Sequence, residues 1–132
     1  GFGLGIDVRL KDLDYAALRR LIGQWQQIAP NYYGDFYPLT PWTRDNTVWM
    51  AWQFDRPETG EGFVQAFRRH ESDYESARLR LWGLDAEASY VVTDLDTGEQ
   101  QSHPGRELIE KGLRITLADR PDTAILTYRR QP

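Results

Sequence analysis

Tyr32, Tyr33, Asp35, Phe36, Tyr37 and Trp42 lie close together in one aromatic-rich stretch. Carbohydrate sites combine flat aromatic faces with carboxylates, amides and arginines that hydrogen-bond hydroxyl groups. Tyr33, Asp35, Tyr37 and Trp42 are therefore the candidate sugar-binding residues. The same rings have a plainer use, which is to seal a seam between a helix and a sheet. Other chemistry is thinly represented. His70 and His103 are the only histidines, and both sit in polar sequence that reads as solvated loop. With no cysteine and two isolated histidines, no metal site is expected. Asp94 and Asp96, two apart, would share one face of a strand. A carboxylate pair can do acid/base work or bind calcium, but Asp96 opens a turn, and a structural role is favoured. The spaced glycines at Gly1, Gly3 and Gly5 do not match a phosphate-binding loop, and they precede a strand rather than follow one. No catalytic residue, metal or cofactor is assigned.

The elements that must position these residues change character along the chain. Leu4, Ile6, Val8 and Leu10 alternate with polar or small residues, which predicts a short strand. Tyr15, Leu18, Leu21, Ile22, Trp25 and Ile28 then recur at three and four residues, with Arg19, Arg20, Gln24 and Gln27 mostly opposite. This predicts an amphipathic helix from about Asp14 to Ala29, capped by Asp12 or Asp14 and stopped by Pro30. Its apolar stripe is wide for a lone helix on a small domain.

The stretch from Asp35 to Pro41 carries Pro38 and Pro41. Each proline fixes φ and removes a backbone donor, so neither suits a helix interior or a central strand. An extended connector is expected here. Beyond Trp42 the period is that of strands. Thr47 to Phe54 has apolar residues on both faces, with Val48, Met50, Trp52 and Phe54 on one and Trp49 and Ala51 on the other, which suggests an interior strand. Arg56 to Gly62 forms a turn, and Phe63 to Arg69 returns. Further strands are expected at Ala77 to Trp82, Ser89 to Leu95, Leu113 to Leu117 and Ala124 to Tyr128, with a hairpin turn at Asp96 to Glu99. Arg106 to Lys111 reads as one helical turn closed by Gly112. Strands at this spacing predict an antiparallel β-sandwich.

Composition narrows the function classes. At 132 residues the chain can build one ordinary core. Its mean hydropathy of −0.65 is that of a soluble protein, with the cytoplasm the favoured compartment. No apolar run approaches the ~20 residues of a membrane span, and no signal peptide is expected in this stretch. A net charge of −4 argues against nucleic acid, which selects a basic face.

Several motifs together resemble a known family. Gly34-Asp35-Phe36-Tyr37 is followed by Trp49-Met50 and Phe67-Arg68. Leu81-Trp82-Gly83-Leu84-Asp85 and Tyr90 come next, then the run Gly105 to Leu113. In order and spacing this resembles the C-terminal region of α-galactosidases of glycoside hydrolase family 36 and their relatives in the melibiase clan. That family's segment near the end reads Gly-x-Glu-Leu-Met-x-x-Gly-Leu, and Ile109 replaces the Met here. The resemblance implies that a (β/α)8 barrel carries catalysis and an antiparallel β-sandwich follows it. Residues 1–34 would be the remnant of the last barrel unit, a strand and a helix, and residues 35–132 the sandwich. A barrel helix is buried against strands, which would account for the wide stripe. Such enzymes retain configuration through two carboxylates on earlier barrel strands. The usual contexts of those carboxylates, Lys-Trp-Asp and Ser-Asp-x-x-Asp, are missing from this sequence. At most, Asp7 would line a pocket edge in a complete enzyme.

The expected fold is thus mainly β, a C-terminal antiparallel β-sandwich preceded by a short strand and one amphipathic α-helix. The expected function is a non-catalytic portion of an α-galactosidase-like glycoside hydrolase that supports the catalytic barrel or its assembly, inactive by itself. The expected partners are that barrel, carbohydrate, or a second copy joined through the exposed helix. The alternatives are a free-standing carbohydrate-binding module, which requires exposed, roughly coplanar rings, and a protein-interaction domain.

Overall fold

The computed structural model describes residues 5, 7 and 9–132. Of the strand expected over Leu4 to Leu10, Leu4, Ile6 and Val8 lie outside this set, and the described residues Gly5, Asp7, Arg9 and Leu10 are not assigned to a strand. The helix α1 spans Tyr15–Ile28, and the Asp14 carboxylate caps it by accepting from the Ala17 N–H at 2.9 Å. Pro30 does not simply end the helix. It sits in the first turn of a tighter 3-10 segment, Ala29–Tyr33, where its missing N–H costs nothing.

Eight strands follow: β1 (Asp35–Pro38), β2 (Met50–Arg56), β3 (Glu61–Arg68), β4 (Ser76–Leu79), β5 (Ser89–Asp94), β6 (Gln100–Pro104), β7 (Leu113–Thr116) and β8 (Asp122–Arg130). A short helix, α2 (Gly105–Glu110), lies between β6 and β7. Six strands form one antiparallel sheet in the order β1-β2-β3-β8-β5-β6, and β4 pairs with β7 in a second sheet. The architecture is mainly β, as the alternating pattern predicts. The expected connector at Asp35 is partly a strand. Asp35 to Pro38 pairs with Asp55 to Trp52 at the sheet edge, the one place where a terminal proline leaves no ladder bond unmade.

The register sets two faces. On the inner face lie Ala51, Gln53 and Asp55 of β2, Gly62, Val64 and Ala66 of β3, and Ala124, Leu126 and Tyr128 of β8. The core joins this face to Leu79 and Leu81, to Leu113 and Ile115 of β7, and to Leu108 of α2. Gly112, at φ +90°, closes α2 in a conformation that favours glycine. Gly62 serves a different need, since a side chain there would overlap the Tyr128 hydroxyl and the Phe54 carbonyl.

The outer face carries Trp52, Phe54, Phe63 and Phe67, and α1 with its 3-10 extension lies over part of it. Tyr32 meets Phe54 and Phe63 edge-on, with ring centroids at 4.7 and 5.4 Å. Gln24 of α1 donates to the Leu95 carbonyl at 3.1 Å and to Asp96 Oδ1 at 2.7 Å. Arg20 adds an ion pair to the same Asp96 carboxylate at 3.0 Å. Phe63, in contact with Tyr32, is fully buried on this face.

Candidate functional site

The aromatic stretch does not converge on one surface. Tyr33 is 96% exposed and Trp42 83% exposed, and neither makes a ring contact among the described residues. Tyr37 points to the inner side of β1, as its pairing with Gln53 dictates. Its ring stacks on Trp82 with centroids 6.3 Å apart and planes 17° from parallel. Asp35 faces Asp55 across the β1–β2 ladder. Of the four candidate residues, Asp35 and Tyr37 thus share one edge of the sheet, and Tyr33 and Trp42 are not part of the Tyr37–Trp82 stack. Tyr33 instead borders a groove with Trp25, Gln26, Pro30, Tyr32 and Arg56, beneath the end of α1.

The Tyr37–Trp82 stack is held from below by polar groups that pattern reading passes over. The Gln53 amide, fully buried, clamps the Trp82 backbone. It donates to the Trp82 carbonyl at 2.8 Å and accepts the Trp82 N–H at 2.9 Å. Gln53 also donates to the Tyr128 hydroxyl at 2.8 Å, and that hydroxyl donates to Asp55 Oδ1 at 2.6 Å. Burial, joined by the Asp55 hydrogen bond and charge, pushes the Tyr128 phenol far above its usual range. Burial, with the nearby Asp35 and Asp55 charges, raises the Tyr37 phenol as well. The alternation places Gln53 and Asp55 on one face of the strand with Ala51, but nothing local in the sequence marks that face as the buried one.

Asp94 and Asp96 take structural roles. Asp94 Oδ1 accepts the Asp96 and Thr97 N–H groups at 2.8 and 3.1 Å and so shapes the hairpin turn. Asp96 anchors α1. His103 departs from expectation, for it lies within β6 opposite Tyr90 and is half-buried rather than in a solvated loop. His70 is exposed, within 3.8 Å of Glu71. Asp7 pairs with Arg9 at 2.8 Å, both exposed, and the hydrogen bonds from Arg9 hold its carboxyl below the usual range. Among the described residues no cluster of three or more histidine, cysteine or acidic side chains is arranged to hold a metal ion. Among them, too, no helix is long and apolar enough to cross a membrane.

The helix also carries apolar side chains that do not meet the sheet. Gln24 and Ile28 are its buried residues, and they mark the side that meets the sheet. Leu18, Leu21 and Ile22 sit to one side of that line at helical spacing, and Tyr15 continues it; Leu18 and Ile22 are half-buried. Leu21 and Tyr15 are 52% and 53% exposed. Part of the apolar arc, at Tyr15 and Leu21, therefore faces outward.

The fold is mainly β, an antiparallel sandwich with one amphipathic helix ahead of it. The model of the glycosyl hydrolase family 36 C-terminal domain matches residues 49–128. The chain belongs to this family, and is a non-catalytic C-terminal domain of a glycoside hydrolase. Membership implies a catalytic domain in the parent enzyme. Among curated proteins no match to the chain is found.

Proposed function

We propose that the domain supports the catalytic barrel of an α-galactosidase-like parent enzyme, with residues 1–34 as the end of that barrel and residues 35–132 as the sandwich. The observation that carries this reading is the orientation of α1. Gln24 and Ile28 face the sheet, whereas Leu21 and Tyr15 of its apolar arc are exposed. A helix that ends a (β/α)8 barrel has the same two demands, one side for the barrel strands and one for the domain attached behind it. In the isolated chain the same arc is available to a second copy, and self-association through it is part of the proposal.

A second reading is favoured by the exposure of Trp42 and Tyr33, which suits sugar stacking. Against it, the exposed rings do not form one platform, and Tyr37 is already engaged with Trp82. A titration of the pure chain with galactose and melibiose, read on the five tryptophan indole signals, separates the two. The supporting role predicts no saturable shift at millimolar sugar. Saturable shifts confined to Trp42 and Trp82 would make the sandwich a sugar-binding module.

A further inference from the structure

Asp55 is a buried carboxyl that no counter-charge accounts for. It is 1% exposed on the inner face of β2. Among the described residues Oδ1 accepts one hydrogen bond, from Tyr128, and Oδ2 has no partner. A carboxylate taken out of water needs several donors or a cation to offset the loss of solvation. The elements packed around it supply neither. Across β1 it faces Asp35, and Glu58 stands near it from the β2–β3 turn, so both neighbouring charges are negative. On β3 its partner is Gly62, which has no side chain to offer. From β8 comes only the Tyr128 phenol. On its own strand Gln53 is committed to Trp82 and Tyr128, and Arg56 lies next to Glu61, at 3.8 Å. From the segment after β4, Gly83 closes directly on Oδ2. A Cβ built there would lie 2.7 Å from that oxygen and 3.5 Å from the Tyr37 hydroxyl.

We propose that Asp55 is a proton-operated latch: as a neutral carboxylic acid it keeps β1 and the Leu81–Leu84 segment closed over the sheet edge, and its ionisation loosens that edge and the Tyr37–Trp82 stack. The closed state needs an uncharged Oδ2 because Gly83 seals it from water. The open state admits water to the anion. Burial pushes the Asp55 carboxyl up, with Asp35 and Glu58 adding to the rise and the Tyr128 hydrogen bond opposing it. The sign is set by linkage. A carboxyl whose folded pKa is raised binds its proton more tightly in the folded state. Its contribution is therefore complete below the unfolded value of about 3.9 and is lost as pH rises through the folded value.

The test tracks the Asp55 Cγ signal and the Trp82 indole signal of the natural chain by NMR from acid to neutral pH, with the Asp55→Asn variant beside it. Asparagine keeps the shape and the acceptor for Tyr128 but cannot ionise. The latch predicts a Cγ midpoint above the ordinary aspartate value of about 3.9, with the Trp82 indole shifting at the same midpoint. In Asp55→Asn that indole shift disappears, and the variant's thermal midpoint gains on the natural chain's as pH rises. A Cγ midpoint at or below the ordinary value would overturn the proposal, as would a Trp82 response that persists in the variant. Should Asp55→Asn not fold, the paired Cγ and indole titrations of the natural chain decide the matter alone.

Discussion

Replacing Phe63 by alanine is expected to destabilise the chain by about 3–5 kcal/mol. Phe63 is 0% exposed, though it lies on the outer face of the sheet. It owes that burial to the 3-10 segment after α1: Tyr32 meets it edge-on at 5.4 Å, and Phe54 stacks on it at 5.4 Å and 14°. The substitution removes the ring's transfer energy and leaves a cavity between two units that cannot collapse together, because Gln24 and Arg20 pin α1 elsewhere, at Leu95 and Asp96. Against a typical domain stability of about 5–15 kcal/mol, the loss is large. Urea unfolding should show a lower midpoint with an unchanged slope. A loss under about 1 kcal/mol would mean that the 3-10 segment does not cover this face in solution.

The second large effect is expected at Arg68. This side chain is 4% exposed, at the end of β3, and among the described residues it has no carboxylate within ion-pair distance. Its guanidinium is held by carbonyls instead. Nη1 donates to Leu117 and Ala118 at 2.8 and 2.7 Å, and Nε and Nη2 donate to Ser72 at 3.2 and 3.0 Å. One planar fork therefore ties the loop after β3 to the loop after β7. Arg68→Met fills much of the volume but leaves the Leu117 and Ala118 carbonyls without this donor. Ser72 keeps its bond from Arg120 at 3.0 Å. Hydrogen bonds from a charged donor contribute about 1.5–3 kcal/mol each, and these carbonyls are only partly buried, so a loss of about 3–4 kcal/mol is expected by thermal or urea unfolding. Arg68→Lys should recover only part of it, because an ammonium cannot span both loops in the fork geometry. Equal stability of the Lys variant and the natural chain would show that charge, not the fork, is what the site requires.

Much of this architecture is legible in the sequence, for identifiable reasons. The α1 limits, the β2–β3 hairpin, the Asp96–Glu99 turn and the Gly112 stop each carry local chemistry: a capping Asp, a Pro and Gly turn, a glycine at positive φ. What escapes is what depends on distant partners. In β2 the apolar residues Trp52 and Phe54 look like core, yet they occupy the half-buried outer face, and Gln53 and Asp55 point inward. Periodicity divides a strand into two faces but does not say which one the second sheet will cover. The clamp on Trp82 is invisible for a similar reason, since Gln53 and Trp82 meet only after β4 crosses to pair with β7. The β1 strand is hidden by Pro38, which is tolerated because the strand lies at an edge.

The two sides of α1 were readable only as an excess. A stripe too wide for one neighbour announces a second neighbour without naming it. The sheet takes Gln24 and Ile28, and under the proposed supporting role the exposed part of the arc faces the catalytic domain of the parent enzyme.

The most direct measurement is amide hydrogen exchange of this chain alone and within its intact parent enzyme. Docking of the outward arc predicts that the amides of Tyr15–Ile28 gain protection in the parent by a factor of at least about 10, on the order of 1.4 kcal/mol of added local stability, while β3 and β8 at the centre of the sheet change little. Equal exchange of α1 in the two settings would contradict the account and leave the helix an appendage of the sandwich alone.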